Sequence, residues 1–378
     1  MKAILATLLL ASISTAQGLL WSVPGPAAQT VSLADGVYTA SHLGASYTRS
    51  HALNDGAVTW QEQSPGMSWH VRTSGAASIF DADVPNTGSN VQRVYVRTPS
   101  ILWQFPNTVS NTDRLGISTS RDGQRIAAFS NTTLVVFDAG VPTTLDLGFT
   151  GLGLDMSADG STVLVTGDFA TRVYAVPSLA VLFSASPSSY TFHAQGISGN
   201  GDVFAIGRMG RVDVWRRTAG VYGFDFQHTL AGTNYCDRLD VSDDGSTLAA
   251  AFNFFGPTYS VVLDVVDLAT QATTNHVELA ATFAHRVSVS ATGEIVALGV
   301  AADGLGPVPE LSFYRRGAVS ALAAYSLDGL TTDLDLAADG TTCAVGSQLY
   351  GQGNAGFVSL YRVLAPRSFV RRSASFTR

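Results

Sequence analysis

The chain has 378 residues, 46% of them hydrophobic and 13% charged, with 37 glycines; that is ample for a packed core and too apolar for a disordered chain. Its formal net charge is −7, and the only basic run is the tail 367–378, so the electrostatic footprint of a nucleic-acid binder is excluded. Lys2 is the only lysine, which excludes Schiff-base and lysine general-base chemistry from a chain that has lost its first residues.

In chain order, Met1-Lys2, the apolar run 3–13 and Ser14-Thr15-Ala16 have the charged start, short hydrophobic region and small-x-small site of a secretory signal peptide, here residues 1–16. The apolar run is shorter than the roughly 20 residues of a membrane-spanning helix, and no later run reaches that length. A mature protein without a transmembrane segment is expected, secreted or held in a periplasm or at a cell surface. Residues 17–44 form an N-terminal segment in which 29–38 is the candidate strand for closing a ring; 367–372 competes for that role. Region 48–105, with Asn54-Asp55-Gly56 and strand-like runs at 69–72, 93–97 and 101–105, reads as a degenerate first unit.

A repeat then becomes explicit. Short apolar runs end at Asp-Gly or an equivalent in Ile117-Ser-Thr-Ser-Arg-Asp-Gly123, Leu154-Asp-Met-Ser-Ala-Asp-Gly160, Ile197-Ser-Gly-Asn-Gly201, Leu239-Asp-Val-Ser-Asp-Asp-Gly245, Val287-Ser-Val-Ser-Ala-Thr-Gly293 and Leu334-Asp-Leu-Ala-Ala-Asp-Gly340. Their glycines step by 37, 41, 44, 48 and 47 residues, the length that four strands of a propeller blade need. After each turn comes a run of small apolar residues, such as Thr247-Leu-Ala-Ala-Ala251, suited to a strand covered on both faces. A β-branched and aromatic third run and a less regular fourth complete the unit.

This four-run unit, with Ser198-Gly-Asn-Gly-Asp-Val-Phe-Ala-Ile-Gly207 and Arg211-Val-Asp-Val-Trp215 as its clearest instance, resembles the repeats of WD40-like and YVTN-like β-propellers over about 113–363. The Trp-Asp ending of strict WD40 repeats is absent, Trp215 being followed by Arg216. The expected fold is all-β, a propeller of four-stranded antiparallel blades over 45–365, with seven blades and six or eight as the alternatives, followed by an arginine-rich tail 366–378. Cys236 and Cys343 are expected to be separate buried thiols, because their places in the repeat set them beyond the roughly 7 Å Cα limit of a disulfide. Asn131-Thr132-Thr133 is a formal glycosylation sequon.

In an up-and-down blade all the Asp-Gly turns share one face, while the second-to-third loops and the links between blades share the other. Three successive units carry long second-to-third loops at 253–259, 301–310 and 348–354, and their Phe254, Phe255, Tyr259, Asp303, Glu310, Tyr350 and Asn354 are candidate ligand-binding residues. On the same face, seven residues before the turn position, His193, Asp237 and His285 open three successive inner strands; other units have Leu115, Leu152 and Thr332 there. Two imidazoles and a carboxylate at a channel mouth offer either hydrogen-bonded scaffold or, as the alternative, a divalent metal or acid–base site. Asp155, Asp240 and Asp335 recur at one repeat position, which favours a scaffold role such as bonding a neighbouring blade.

No nucleophile elbow, HExxH helix, phosphate-cradling glycine loop or paired-cysteine metal motif occurs, and no cofactor is expected. The expected function is therefore an exported binding or scaffolding module that presents its loop-rich face to a protein or glycan. The propeller resemblance also implies an alternative, a lactonase-like or other hydrolase-like enzyme with a polar or metal site at the channel mouth. A structural surface-layer or adhesion component is a third reading.

Overall fold

The computed structural model describes residues 18–363 except 29, 35, 42–46, 64–66, 75–77, 85–92, 97–99, 105–114, 168, 187–190, 233, 256–258, 303–307, 328 and 351–354. The expected signal peptide and the arginine-rich tail lie outside the described residues. Among those described there is no helix, hence none long and apolar enough to cross a membrane.

Among the described residues the strands form eight four-stranded antiparallel sheets. Seven are continuous in sequence, at 30–63, 67–104, 115–146, 151–185, 191–229, 234–279 and 283–325, here blades 1 to 7. Blade 8 takes three strands from 329–362 and its outermost from Leu19–Pro26, which pairs antiparallel with Ala355–Arg362. Each innermost strand packs on the innermost strand of the next blade, and Thr30–Leu33 of blade 1 packs on Gly329–Leu336 of blade 8, so the ring is closed.

The count is thus eight, the upper of the alternatives to seven, and the difference lies wholly before residue 105. The span taken as one degenerate unit holds the end of blade 1 and all of blade 2, and Asn54-Asp55-Gly56 is the third-to-fourth turn of blade 1. Closure is made by Leu19–Pro26 and not by 29–38, which instead supplies the first two strands of blade 1. The competing closure segment, 367–372, lies outside the described residues.

Two repeated devices hold the ring. At the turns, Gly123, Gly160, Gly201, Gly245, Gly293 and Gly340 all have φ between 66° and 71°, a backbone that L side chains resist. The residue three before each glycine is a serine in five of the six; in blade 4, Ser157 Oγ donates to Asp159 Oδ1 at 2.6 Å and accepts from Thr162 N at 3.0 Å. Successive turns are laced together by main-chain bonds, including Asp159 N to Gly199 O and Asp244 N to Ala291 O.

The second device runs around the axis. Ser32, Arg72, Ser118, Asp155, Gly196, Asp240, Ser288 and Asp335 occupy one position of the innermost strands. Met156 N donates to Ser118 Oγ (3.1 Å), Ile197 N to Asp155 Oδ2 (3.2 Å) and Val289 N to Asp240 Oδ2 (2.8 Å). The same step continues from Leu336 N to Ser288 Oγ (3.4 Å), Leu33 N to Asp335 Oδ2 (2.7 Å) and Thr73 N to Ser32 Oγ (3.1 Å). Each short polar side chain thus satisfies a main-chain donor of the following blade, the scaffold role expected from the recurrence of Asp155, Asp240 and Asp335.

Between blades the core is apolar. Phe204 of blade 5 stacks on Trp215 (5.0 Å, 11°) and meets Phe183 of blade 4 and Tyr222 edge-on at 5.2 Å each. Cys236 and Cys343 are free and buried, as expected from their places in the repeat, and burial pushes both thiols well up, away from reactivity.

Candidate functional site

The innermost strands enter from the loop face with a recurring irregularity. Pairing skips one residue between Gly151 and Gly153, Cys236 and Arg238, Ala284 and Arg286, and Thr331 and Asp333. The extra residues are Leu152, Asp237, His285 and Thr332, the very position singled out in the sequence. What recurs there is a β-bulge, which leaves one residue out of the ladder and re-aims the next.

Asp237 and His285 do come to one mouth, but as partners of an arginine. Arg238 Nε donates to the His285 carbonyl (2.6 Å) and Nη1 to the Asp237 carbonyl (2.7 Å). The Asp237 carboxylate accepts from Asn253 Nδ2 at 2.5 Å, and buried Asn253 in turn accepts from Ala284 N at 2.9 Å. His193 lies in the irregular pairing between Thr191 and Gln195; its side chain is outside the described residues. Among the described residues no group of three or more His, Cys, Asp and Glu could hold a metal ion.

Along the axis the residues re-aimed by the bulges meet those of the ring. The loop-face half of the channel is a cavity of about 530 Å³ lined by Arg72, Arg238, Arg286, Asp155, Asp240, Asp333 and Asp335, with Gln195, His285, Thr30 and Thr332. A second cavity of about 700 Å³ continues toward the turn face and shares Arg72, Asp155, Asp240 and Asp335. At that end Arg121 of blade 3 pairs with Asp243 of blade 6. The arginines and Asp333 were not singled out in the sequence. Their signal is alternation: Arg238, Arg286 and Asp333 each stand two residues before a ring position, so both side chains share one face of a strand.

The channel carboxyls are perturbed. Burial pushes Asp155 up to about 6 and Asp240 up to about 7, against the hydrogen bonds and arginines that favour ionisation; Asp335 is raised by burial as well. Burial and the nearby Arg286 lower Arg72 and Arg238, while Asp333, Asp240, Asp335 and Asp155 outweigh burial at Arg286 and hold it up. A carboxyl raised in the folded state binds protons that the unfolded chain has already released, so stability from Asp155 and Asp240 is present below about pH 4 and lost as pH rises through 6 to 7. At the turns the sign is opposite. Hydroxyl and amide donors hold Asp122, and, against burial, Asp159 and Asp244, below the usual range, a contribution lost only in acid.

The protein should accordingly be more stable near pH 5 than at pH 8, by on the order of 2 kcal/mol after discounting for channel water. Urea unfolding at the two pH values measures this, and Asp240→Asn should flatten the slope while keeping an acceptor for Val289. Greater stability at pH 8, unaltered by that substitution, would refute the assignment.

Around the mouth the loop face carries large exposed side chains on successive blades: Phe169 (blade 4), Met209 (blade 5), Phe255 and Tyr259 (blade 6), Phe283 (blade 7) and Tyr350 (blade 8). Phe255 is the hub, with ring centroids 5.4 Å from Tyr235, 6.1 Å from Tyr259 and 5.6 Å from Phe283, all steeply tilted. Phe254 turns inward onto the core shared by blades 5 and 6. Glu310 is a correction to the candidate set, being 7% exposed with Oε2 accepting from Leu327 N at 2.9 Å, a structural bond. Tyr350 is exposed and its hydroxyl accepts from Ala302 N at 3.1 Å. Asp303 and Asn354 lie outside the described residues.

No protein-family model and no curated protein matches the chain. Among solved structures, the β-propeller domain of Cps50 (Swd1) from Myceliophteria thermophila superposes with a TM-score of 0.54 at 14% identity, over 82% of this chain and 99% of that one. Hydrazine synthase of Kuenenia stuttgartiensis is similar over 64% of this chain and 77% of its own, at 16% identity and a TM-score of 0.49. The closed ring of four-stranded blades and the likeness to the first of these show a β-propeller fold.

Proposed function

We propose that this protein is an exported binding module whose loop face docks an extended segment of a partner protein. The observation that carries the reading is the aromatic cluster of exposed Phe255, Tyr259 and Phe283 with half-buried Tyr235 at the rim of a polar channel. Aromatic anchors beside satisfied polar groups are the composition of binding hot spots, and exposed apolar side chains on five successive blades exceed the scattered singles of an ordinary surface. A protein segment is favoured over a glycan because rings packed at 55° to 88° to Phe255 present edges and clefts for side chains rather than one flat platform for a sugar. Export rests on the signal-like residues 1–16.

The hydrolase-like alternative finds less support. Ring carboxylates and Asp237 are engaged by main-chain or amide donors, the mark of a scaffold. Selection from a displayed peptide library, followed by affinity measurement, tests the proposal. Phe255→Ala with Phe283→Ala should weaken a selected peptide about thirtyfold or more without altering the circular dichroism spectrum. Peptides that bind the double variant as well as the wild type, or a glycan array that yields ligands where the peptide library yields none, would overturn it.

A further inference from the structure

We propose that the loop-face half of the axial channel is a carboxylate-binding subsite, in which Arg286, flanked by Arg72 and Arg238, receives an acidic side chain or chain terminus of the ligand. This deepens the loop-face reading, since the group enters by the same mouth. Three blades supply the three guanidinium groups: blade 2 Arg72, blade 6 Arg238 and blade 7 Arg286. They stand close enough for Arg286 to depress both of the others.

Their commitments differ. Arg238 is braced by the carbonyls of His285 and Asp237, and Arg72 Nη1 by the Val71 carbonyl at 2.8 Å. Arg286 is the exception. Its buried Nε has no hydrogen-bond acceptor among the described residues, and its approach to Asp333 Oδ1 is a loose 3.5 Å. Only the Nε is buried, the side chain as a whole being 41% exposed to the channel, so the guanidinium is open to a ligand, and a carboxylate fits its fork in bidentate fashion.

The acidic neighbours do not cancel the site. Asp155, Asp240 and Asp335 face inter-blade amides, and Asp333 Oδ2 accepts from Val31 N at 3.0 Å, so their oxygens are held by the wall. Asp240, raised to about 7, is partly protonated at neutrality and Asp155, raised to about 6, takes up its proton just below it, whereas the three arginines stay charged. All eight innermost strands line the cavity, and the titratable and charged groups they bring to it are Arg72, Asp155, Arg238 with Asp240, His285 with Arg286, and Asp333 with Asp335. Protonation of any of them favours an anion, so binding strengthens as pH falls. A singly charged carboxylate suits this mixed wall better than a phosphate, whose second charge the same aspartates repel. About 530 Å³ accommodates a side chain or small acid.

The test uses the intact protein, with acetate as the probe, ionised at both pH 6 and pH 8. Titration followed by amide chemical shifts at matched ionic strength should give binding about tenfold tighter at pH 6 than at pH 8, with shifts centred on the innermost strands of blades 2, 6, 7 and 8. Arg286→Gln should weaken it about thirtyfold and Arg286→Lys by less, while Arg125→Gln, paired with Asp138 outside the channel, leaves it unchanged. Should Arg286→Gln fail to fold, the lysine variant and the pH comparison still decide. Equal acetate binding by wild type and both Arg286 variants, binding that does not tighten at pH 6, or tighter binding of inorganic phosphate overturns the inference. Failure here leaves the aromatic docking surface standing, and failure of the peptide selection leaves the acetate result standing, because each uses its own ligand.

Discussion

Removing residues 1–26 is expected to abolish cooperative folding, whereas removing 1–16 leaves it intact. Leu19–Pro26 is the outer strand of blade 8, and without it Ala355–Arg362 becomes an open edge. The strand also ties two blades together. Trp21 is buried against Val358 and Leu360 of blade 8, yet its Nε1 donates to the Leu53 carbonyl of blade 1 (2.9 Å) and its ring lies 5.9 Å from His51. Trp21→Ala alone should cost about 3–5 kcal/mol, the usual range for emptying a buried tryptophan site. Thermal unfolding and size-exclusion chromatography measure both effects. A monomeric, cooperatively unfolding 27–378 fragment would show that the ring closes by another route.

The second large effect is expected at Phe204. Its ring is fully buried and lies within 5.2 Å of three other aromatic rings from two blades, so Phe204→Ala leaves a cavity that rigid neighbouring sheets cannot collapse. A loss of about 3–5 kcal/mol is expected, against less than about 1 kcal/mol for Phe224→Ala, whose exposed ring only caps Trp215. Denaturant midpoints with unchanged slopes test the contrast, and similar costs at the two positions would contradict it.

Much of the ring was legible because the repeat is written in local chemistry. Asp-Gly between an apolar inner run and a small-residue second run marks a hairpin by turn geometry alone, and all six glycines adopt the left-handed conformation this requires. One further copy was passed over: Asp35-Gly36 stands between Thr30–Leu33 and Val37–Ser41, the first hairpin of blade 1. Reading 17–44 as a preceding segment hid it, and with it the eighth blade. The closing strand was harder to find, since Leu19–Pro26 pairs with residues more than 300 positions away and contains prolines that weaken its strand signal.

At the site, the place of His193, Asp237 and His285 on the loop face followed from the repeat, but the reason for their place did not. A bulge changes which side chain faces the axis, and no property of residue 237 or 285 announces it. Arg72, Arg238 and Arg286 are ordinary arginines in sequence, more than 160 positions separating the first from the second. They become one group only because eight blades turn their innermost strands toward a common axis.

The sequence by itself determined the blade: hairpin periodicity, turn glycines, small second strands and the short polar residues that lace one blade to the next all act over a few residues or one repeat. Tertiary structure alone decided the number of blades, the strand that closes the ring and the charge of the channel. Those depend on contacts between segments far apart in the chain, and the energy of a buried charge is set by the groups across the channel rather than by those beside it in sequence.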